Sequence, residues 1–99
     1  MARSLFVWPE AEADLTAAAV WYSEIRASLA DAFLSDFSAI LQLVLDNPQM
    51  GVAYEKDVRK LALRKFPNIV YYRYSERIEI LACLHAGREP TVVAQRVQN

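Results

Sequence analysis

The chain has 99 residues, of which 55% are hydrophobic and 23% are charged. These fractions are typical of one compact globular domain, and they exclude a disordered or fibrous chain. A domain of this length buries roughly 60 to 70% of the surface that its unfolded chain exposes. We therefore expect residues 1–99 to form a single domain that folds without a metal, a disulfide or another cofactor.

Charge and cysteine content exclude further classes of protein. Lys and Arg total 11 and Asp and Glu total 12, which gives a net charge of −1. Nucleic-acid-binding proteins usually carry a basic excess, so this balance disfavours such a role. Cys83 is the only cysteine, which excludes an internal disulfide and predicts a small buried hydrophobic side chain. The chain shows neither a signal-peptide pattern nor an apolar run of ~18 residues, which predicts a cytoplasmic protein without a membrane span.

The first predicted elements are a strand and a helix. Residues 3–7 form an apolar run that stops at Trp8 and Pro9, and Pro is favoured at the first position of a helix. From residue 9 to about residue 26, apolar residues recur at the helical spacing of three and four. Trp21 lies away from the centre of this apolar stripe, so it either packs at the flank of the core or contacts a partner.

A second helix is predicted after a short break. Ser28 is a candidate N-cap, with Asp31 three residues later as in a capping box. The helix should end at Asn47, because a residue before Pro avoids the helical conformation. Since the break is short, the two helices should form an antiparallel hairpin. The apolar face of the second helix comprises Ala30, Phe33, Leu34, Phe37, Ile40, Leu41, Val44 and Leu45.

Three strands are predicted in the second half of the chain. A long loop at residues 49–56 leads to a strand that begins near Asp57, in which apolar and charged residues alternate as far as Lys65. Two turns separate this strand from the β-prone runs 69–74 and 77–85. The last run is apolar at nearly every position, as expected of a central strand that is buried on both faces. The tail after it is predicted to hold a short helix or a terminal strand.

This order of elements predicts a two-layer α+β domain. An N-terminal strand is followed by an antiparallel helical hairpin, and the hairpin packs on a C-terminal antiparallel three-stranded meander. The shared apolar face of the two helices needs a partner surface, and the sheet is the one that the sequence offers.

An ordered series of short motifs carries a resemblance to a known family. The series comprises Asp14-Leu15, Trp21-Tyr22, Asn47-Pro48, Val58-Arg59-x-Leu61-x-Leu63, Phe66-Pro67, Tyr71-Tyr72-Arg73, Ile78-x-Ile80-Leu81-Ala82-x-Leu84-His85 and Arg88-Glu89-Pro90. It resembles the RelE/ParE superfamily of bacterial type II toxin–antitoxin systems, which includes plasmid stabilisation proteins. The resemblance implies a small toxin that a cognate antitoxin holds inactive.

The resemblance leaves three mechanisms open. ParE-like members bind DNA gyrase and block its cycle without catalysis, and the near-neutral charge favours this alternative because it requires only a protein-binding surface. Another alternative is an inactive stability module that only binds an antitoxin. This alternative is suggested by Val93, which stands where the family often has an aromatic residue, so the C-terminal tail is expected to pack less firmly. Antitoxin binding is predicted in the groove between the hairpin and the sheet, with Trp21, Tyr22 and Arg64 as partner-binding residues.

The remaining alternative is a RelE-like, ribosome-dependent mRNA endoribonuclease. In that chemistry the 2′-hydroxyl attacks the phosphate, basic side chains stabilise the developing charge and a general acid protonates the leaving oxygen. The predicted catalytic residues are then His85, Arg59, Arg73 and Arg88, because histidine exchanges protons readily near neutral pH. Structural roles stay open for the same residues, as a hydrogen-bonding group at a strand end or as members of weak surface ion pairs.

Overall fold

A computed structural model describes residues 4–88 and 91–98 of the chain. Residue Arg3 of the predicted first strand, Glu89 and Pro90 of the last motif, and Asn99 of the tail lie outside the described residues. The elements in order are β1 (Ser4–Val7), α1 (Pro9–Ile25), α2 (Ala27–Asp46), β2 (Val52–Glu55), β3 (Val58–Ala62), β4 (Asn68–Tyr74), β5 (Arg77–His85) and α3 (Thr91–Gln98).

The strands form one five-stranded sheet in the order β1-β5-β4-β3-β2. Strands β2 to β5 are antiparallel neighbours, whereas β1 pairs with β5 in parallel. The predicted α+β architecture, with a helical hairpin on an antiparallel meander, is confirmed. The fully apolar run in β5 also lies where its pattern indicated, between β1 and β4 in the sheet.

Three local predictions are corrected. Residues 52–55 are not part of a loop but form edge strand β2, and a tight turn that includes Lys56 at φ 50° connects β2 to β3. Ser28 is not the N-cap of α2, because the chain breaks only at Arg26, whose extended backbone separates the two helices. Strand β3 ends at Ala62, so the following charged residues lie in a loop. The tail forms helix α3 rather than a strand.

The larger core lies between the helical hairpin and one face of the sheet. Three aromatic rings form its centre: the centroids of Tyr22 and Phe66 are 4.8 Å apart, those of Tyr22 and Phe33 are 5.2 Å apart, and those of Phe33 and Phe66 are 5.6 Å apart. Such pairs add stabilisation beyond the area that they bury. The remaining buried apolar residues of this core are Ala11, Phe37, Ile40, Val44, Leu63, Val70, Tyr72, Ile78, Ile80 and Cys83.

A smaller core lies on the opposite face of the sheet, under α3. Its central residues are Leu81 and Val93, both fully buried, and Val58 and Tyr71 pack beside them. The expectation that Val93 leaves the tail loosely packed finds no support in this burial. Helix α3 therefore covers the middle of the sheet on the face that the hairpin does not reach.

Helix α2 is long and apolar enough to cross a membrane by length and composition alone. It nevertheless buries Phe33, Phe37, Ile40 and Val44 in the larger core. The opposite side of the helix carries polar residues such as Ser35 and Gln42, which are exposed. One-sided burial of this kind is typical of an amphipathic core helix in a globular domain.

A buried carboxylate ties α2 to the loop between β3 and β4. Asp36 is 6% exposed and accepts hydrogen bonds from the backbone N–H groups of Arg64 (3.2 Å), Lys65 (2.7 Å) and Phe66 (3.2 Å). Hydrogen bonds to an ionised group are stronger than neutral ones, so this contact fixes the loop against the helix. Asp36 also explains why β3 ends early: the backbone donors after Leu63 turn toward the helix instead of continuing the sheet.

We expect Asp36→Ala to lower the free energy of unfolding by about 3 kcal/mol, because it leaves three backbone donors without an acceptor. Chemical denaturation followed by circular dichroism measures this change. Asp31→Ala removes an exposed carboxylate from the same helix and is the control, with an expected change within about 0.5 kcal/mol. Equal stability of the two variants would show that the Asp36 contact does not hold the loop.

Candidate functional site

A groove runs between α1 and the second half of β5. Its volume is about 420 Å³. Trp21 projects from α1 at its rim and is 63% exposed, although it is a large aromatic side chain. Exposed aromatic residues of this kind are common where proteins contact partners. The groove is lined by Asp14, Ala17, Ala18, Trp21, Tyr22, Asn68, Cys83, Leu84, His85 and Arg88.

The groove exists because β1 is much shorter than β5. Val7 of β1 is aligned with Ile80, and Trp8 then donates its backbone N–H to the Ile80 carbonyl at 3.0 Å. Pro9 starts α1 immediately afterwards. Strand β5 continues to His85, so within residues 4–88 and 91–98 no strand lies beside its last residues on the α1 side.

Two charged side chains take the place of the missing strand. Asp14 accepts the Cys83 N–H at 3.1 Å, and Arg96 donates to the Leu81 carbonyl at 2.9 Å. The Arg96 guanidinium and the Asp14 carboxylate also form a bidentate ion pair, with N–O distances of 2.8 and 3.1 Å. The two side chains are only 14% and 9% exposed, respectively. The pair therefore completes the hydrogen bonding of β5 and joins α1 to α3.

Sequence reasoning missed both members of this ion pair. Asp14 lies three residues after Ala11 and four before Ala18, on the apolar stripe of α1, and a carboxylate in such a position requires a buried partner. That signal was present in the sequence. Arg96 had no comparable signal, because its partner is 82 residues away in the chain.

The floor of the groove is formed by neutral groups. Tyr22 donates its hydroxyl to the Asn68 side-chain oxygen at 2.7 Å, and both residues are buried. Burial, with a smaller contribution from Cys83, raises the pKa of Tyr22, so its hydroxyl remains a donor. Tyr22 thus lines the groove mainly as a core residue, whereas Trp21 presents its ring to the outside.

Cys83 is buried, as its isolation in the sequence predicted. Burial, followed by the nearby Asp14 carboxylate, raises the pKa of the Cys83 thiol to about 12. Because the thiolate is the reactive form of cysteine, this thiol is not a nucleophile at neutral pH.

His85 and Arg88 lie together at the open end of the groove, where both are exposed. The Gly87 backbone N–H donates to His85 Nδ1 at 3.1 Å. In neutral imidazole, a ring nitrogen that accepts a hydrogen bond leaves the proton on the other nitrogen. In neutral His85, Nε2 therefore carries the proton.

Arg59 and Arg73 lie away from His85 and Arg88. Asn68 pairs with His85, and Arg73 is five residues further along β4, which corresponds to about 16 Å at ~3.3 Å per residue. Arg59 donates to the carbonyls of Gly51 (2.8 Å) and Gln49 (3.2 Å) and thereby holds the start of β2. The structure therefore brings together only two of the four residues predicted for catalysis.

Arg64, predicted to bind a partner, is exposed in the loop between β3 and β4 and is not part of the groove lining. Its backbone N–H belongs to the Asp36 contact. Its side chain lies on the same loop as Phe66, whose ring packs against Tyr22 under the groove.

The sheet face around Arg73 is occupied by internal contacts. The Arg73 guanidinium lies 5.4 Å from the centroid of the Trp8 ring and pairs with Glu79 at 3.3 Å. Arg77 lies over the Phe6 ring at 4.6 Å and is 3.9 Å from the same carboxylate. Trp8 Nε1 also donates to Glu79 at 2.9 Å. The Glu79 carboxylate therefore balances one of the two guanidinium charges of Arg73 and Arg77.

The Glu79 carboxylate is held in its ionised form. Burial raises the pKa of Glu79, but hydrogen bonds from Trp8 and Arg73 and the charges of Arg73 and Arg77 outweigh burial and lower it below 4.5. A carboxyl group with a lowered pKa in the folded state stabilises the protein above its unfolded-state pKa. That contribution is lost as the pH falls toward the pKa of the folded state.

We therefore expect Glu79→Gln to lower the free energy of unfolding by about 1 kcal/mol at pH 7, since charge-assisted hydrogen bonds are lost. The difference from wild type should begin to shrink below about pH 4.5, the ordinary pKa of a glutamate, and should be lost as the pH falls through the lower pKa of folded Glu79. Urea unfolding between pH 3 and pH 7 measures it. Glu76→Gln alters an exposed carboxylate in the adjacent turn and is the control. A difference in the free energy of unfolding between Glu79→Gln and wild type that does not depend on pH would contradict this explanation.

The contacts of the Asp14–Arg96 ion pair predict that a variant at Asp14 loses more stability than a variant at Arg96. Asp14→Ala should lower the free energy of unfolding by about 3 to 5 kcal/mol, because it leaves both the Arg96 charge and the Cys83 N–H without a partner. Arg96→Met leaves the Asp14 carboxylate and the Leu81 carbonyl without Arg96, but it should cost less, since Asp14 keeps the Cys83 donor and the longer methionine side chain packs against the sheet. Thermal and urea unfolding of both variants measure the order, and the reverse order would contradict the assigned contacts.

Both the sequence and the fold are similar to those of known proteins. Residues 6–90 match the model of a family described as the ParE toxin of the type II toxin–antitoxin system parDE. A solved structure of the chromosomal ParDE toxin–antitoxin system from P. aeruginosa superposes with a TM-score of 0.73 at 23% identity, over 84% of this chain and 95% of that one. No curated protein matches the chain. The family match covers most of the sequence, so the chain belongs to the ParE toxin family of type II toxin–antitoxin systems.

Proposed function

We propose that the chain is a cytoplasmic toxin that binds DNA gyrase and blocks its cycle without catalysing a reaction. A cognate antitoxin neutralises it by binding in the groove between α1 and β5. Membership in the ParE toxin family supports the general role. The placement of the basic side chains supports gyrase rather than the ribosome as the target.

The observation that carries this choice is the dispersal of the residues that a nuclease requires. Cleavage of RNA needs an acid or base and several cations around one phosphate. His85 and Arg88 lie at one end of the sheet, whereas Arg73 is about 16 Å further along β4. Arg59 and Arg73 are already bound to main-chain carbonyls and to Glu79, respectively. The binding of a phosphate at either would first have to break these contacts.

The net charge supports the same choice. A nuclease that works on the ribosome approaches a dense polyanion, for which an excess of positive charge is an advantage. The chain carries a net charge of −1, and Arg73 and Arg77 share one carboxylate. A toxin that binds a protein target needs no such excess.

A supercoiling assay tests the proposal. Purified chain added to gyrase, ATP and relaxed plasmid should inhibit supercoiling in proportion to its concentration, and the antitoxin encoded beside it should restore supercoiling. His85→Ala should inhibit to within about twofold of wild type, since no chemical step uses the imidazole. The same preparations are added to a translating extract as the parallel measurement. Codon-positioned mRNA cleavage that His85→Ala abolishes would establish the nuclease instead. If the wild-type chain neither inhibits supercoiling nor cleaves mRNA, antitoxin binding remains as its role.

A further inference from the structure

The floor of the groove contains a hydrogen-bond donor without an acceptor. Asn68 is 4% exposed, and its side-chain oxygen accepts the Tyr22 hydroxyl at 2.7 Å. Among the described residues, nothing accepts a hydrogen bond from its amide nitrogen Nδ2. In that same part of the chain, no fully enclosed side-chain nitrogen or oxygen lacks a partner, so Nδ2 is not sealed in the core. Because Asn68 lines the groove, its Nδ2 opens onto the groove.

His85 supplies a second donor beside Asn68. The two residues are paired across β4 and β5, so their side chains project from the same face of the sheet with β-carbons about 5 Å apart. This face carries the larger core, since Val70 and Cys83, two residues away on each strand, are buried in it. The Gly87 N–H occupies His85 Nδ1, which leaves Nε2 as the donor of the ring.

Arg88 adds a positive charge to these two donors. Its backbone N–H bonds the His85 carbonyl at 2.9 Å in the turn after β5, and the residue lines the groove. Within the part of the chain that the structure describes, no carboxylate pairs with the Arg88 guanidinium. Asp14, the carboxylate in the groove lining, is bound to Arg96 and lies seven residues before Trp21, about 10 Å along the helix. One unpaired guanidinium balances one negative charge, so this end of the groove favours a monoanion.

The rest of the groove fits the body of an aromatic molecule. Ala17, Ala18 and Leu84 contribute an apolar lining, and the Trp21 ring, 63% exposed, lies at the rim. Stacking of another ring on this indole is favourable beyond the area that it buries. The groove volume of about 420 Å³ lies toward the small end of the ~300 to 1,000 Å³ that is usual for ligand sites. This size suits a small aromatic compound rather than a large cofactor.

We propose that the open end of the groove is a binding site for a small aromatic carboxylate. The carboxylate oxygens accept hydrogen bonds from Asn68 Nδ2, His85 Nε2 and the Arg88 guanidinium, whose planar fork matches a carboxylate. The aromatic ring lies along the apolar lining and against Trp21. All of these groups belong to this chain, so the site does not depend on gyrase or on an antitoxin.

Calorimetric titration of the full chain with 2-naphthoate tests the site, and the neutral isostere 2-naphthamide is the ligand control. Naphthoate should bind with a dissociation constant on the order of 1 mM or tighter, as is usual for a ligand of this size. Naphthamide should bind about tenfold more weakly, because it loses the charge-assisted hydrogen bonds. Equal affinities of the acid and the amide, or no binding of naphthoate, would overturn the proposal.

Variants of two exposed side chains test the contacts. Arg88→Gln should weaken naphthoate binding about tenfold through loss of the cation, and Trp21→Ala about fivefold through loss of the ring contact. Lys65→Gln removes the same charge from the loop between β3 and β4, outside the groove lining, and should alter binding less than twofold. Since all three side chains are exposed, the variants should fold as the wild type does. An equal effect of Arg88→Gln and Lys65→Gln would contradict the assigned site.

NMR spectroscopy of the full chain locates the bound acid. The signals of the Asn68 side-chain amide should shift on saturation with naphthoate, because Nδ2 gains an acceptor. The Gln42 side-chain amide, which donates to Asp46 on the exposed side of α2, is the control and should not shift. Binding of naphthoate that leaves the Asn68 signals unchanged would place the ligand elsewhere and overturn the site.

These outcomes separate the inference from the proposed function. A chain that inhibits supercoiling but binds no naphthoate loses the carboxylate site and keeps the role of gyrase toxin. A chain that binds naphthoate through Asn68 and Arg88 but does not inhibit gyrase keeps the site and loses that role.

Discussion

The Asp14–Arg96 ion pair is the interaction on which the second half of the sheet depends. Strand β5 loses its β1 neighbour after Ile80, and the two side chains bond the Leu81 carbonyl and the Cys83 N–H in place of a strand. Buried backbone groups without partners are costly, so this replacement lets β1 end early. Because β1 ends early, α1 can begin at Pro9 and cross over β5, which creates the groove.

Contacts within the domain also limit the positive charge that is available on the surface. Arg59 holds the start of β2, Arg73 and Arg77 share Glu79 and cover aromatic rings, and Arg96 is bound to Asp14. These cations organise the fold, so few of them remain for a polyanion. The apolar groove with its exposed Trp21 is consequently the surface feature that best fits a protein partner.

Sequence patterns predicted the architecture because its main elements have strong local signals. The apolar face of α2 and the continuous apolar run of β5 each define an element and its place in the core. Strand β2 was missed because it is short, lies at an edge and has mixed polarity. The groove was predicted in outline from Trp21, but its floor and its ion pair depend on contacts such as Tyr22 to Asn68, 46 residues apart, which no local pattern encodes.

The long sequence separation within the ion pair has a consequence for synthesis of the protein. Asp14 and Arg96 are 82 residues apart, and β1 pairs with a strand from the last quarter of the chain. Local elements form early during translation, whereas such distant contacts wait for the later residues. A nascent chain therefore carries an unfinished groove until α3 has left the ribosome, and prematurely ended products lack the ion pair that completes it. The groove proposed to bind the partner is thus among the last parts of the molecule to form.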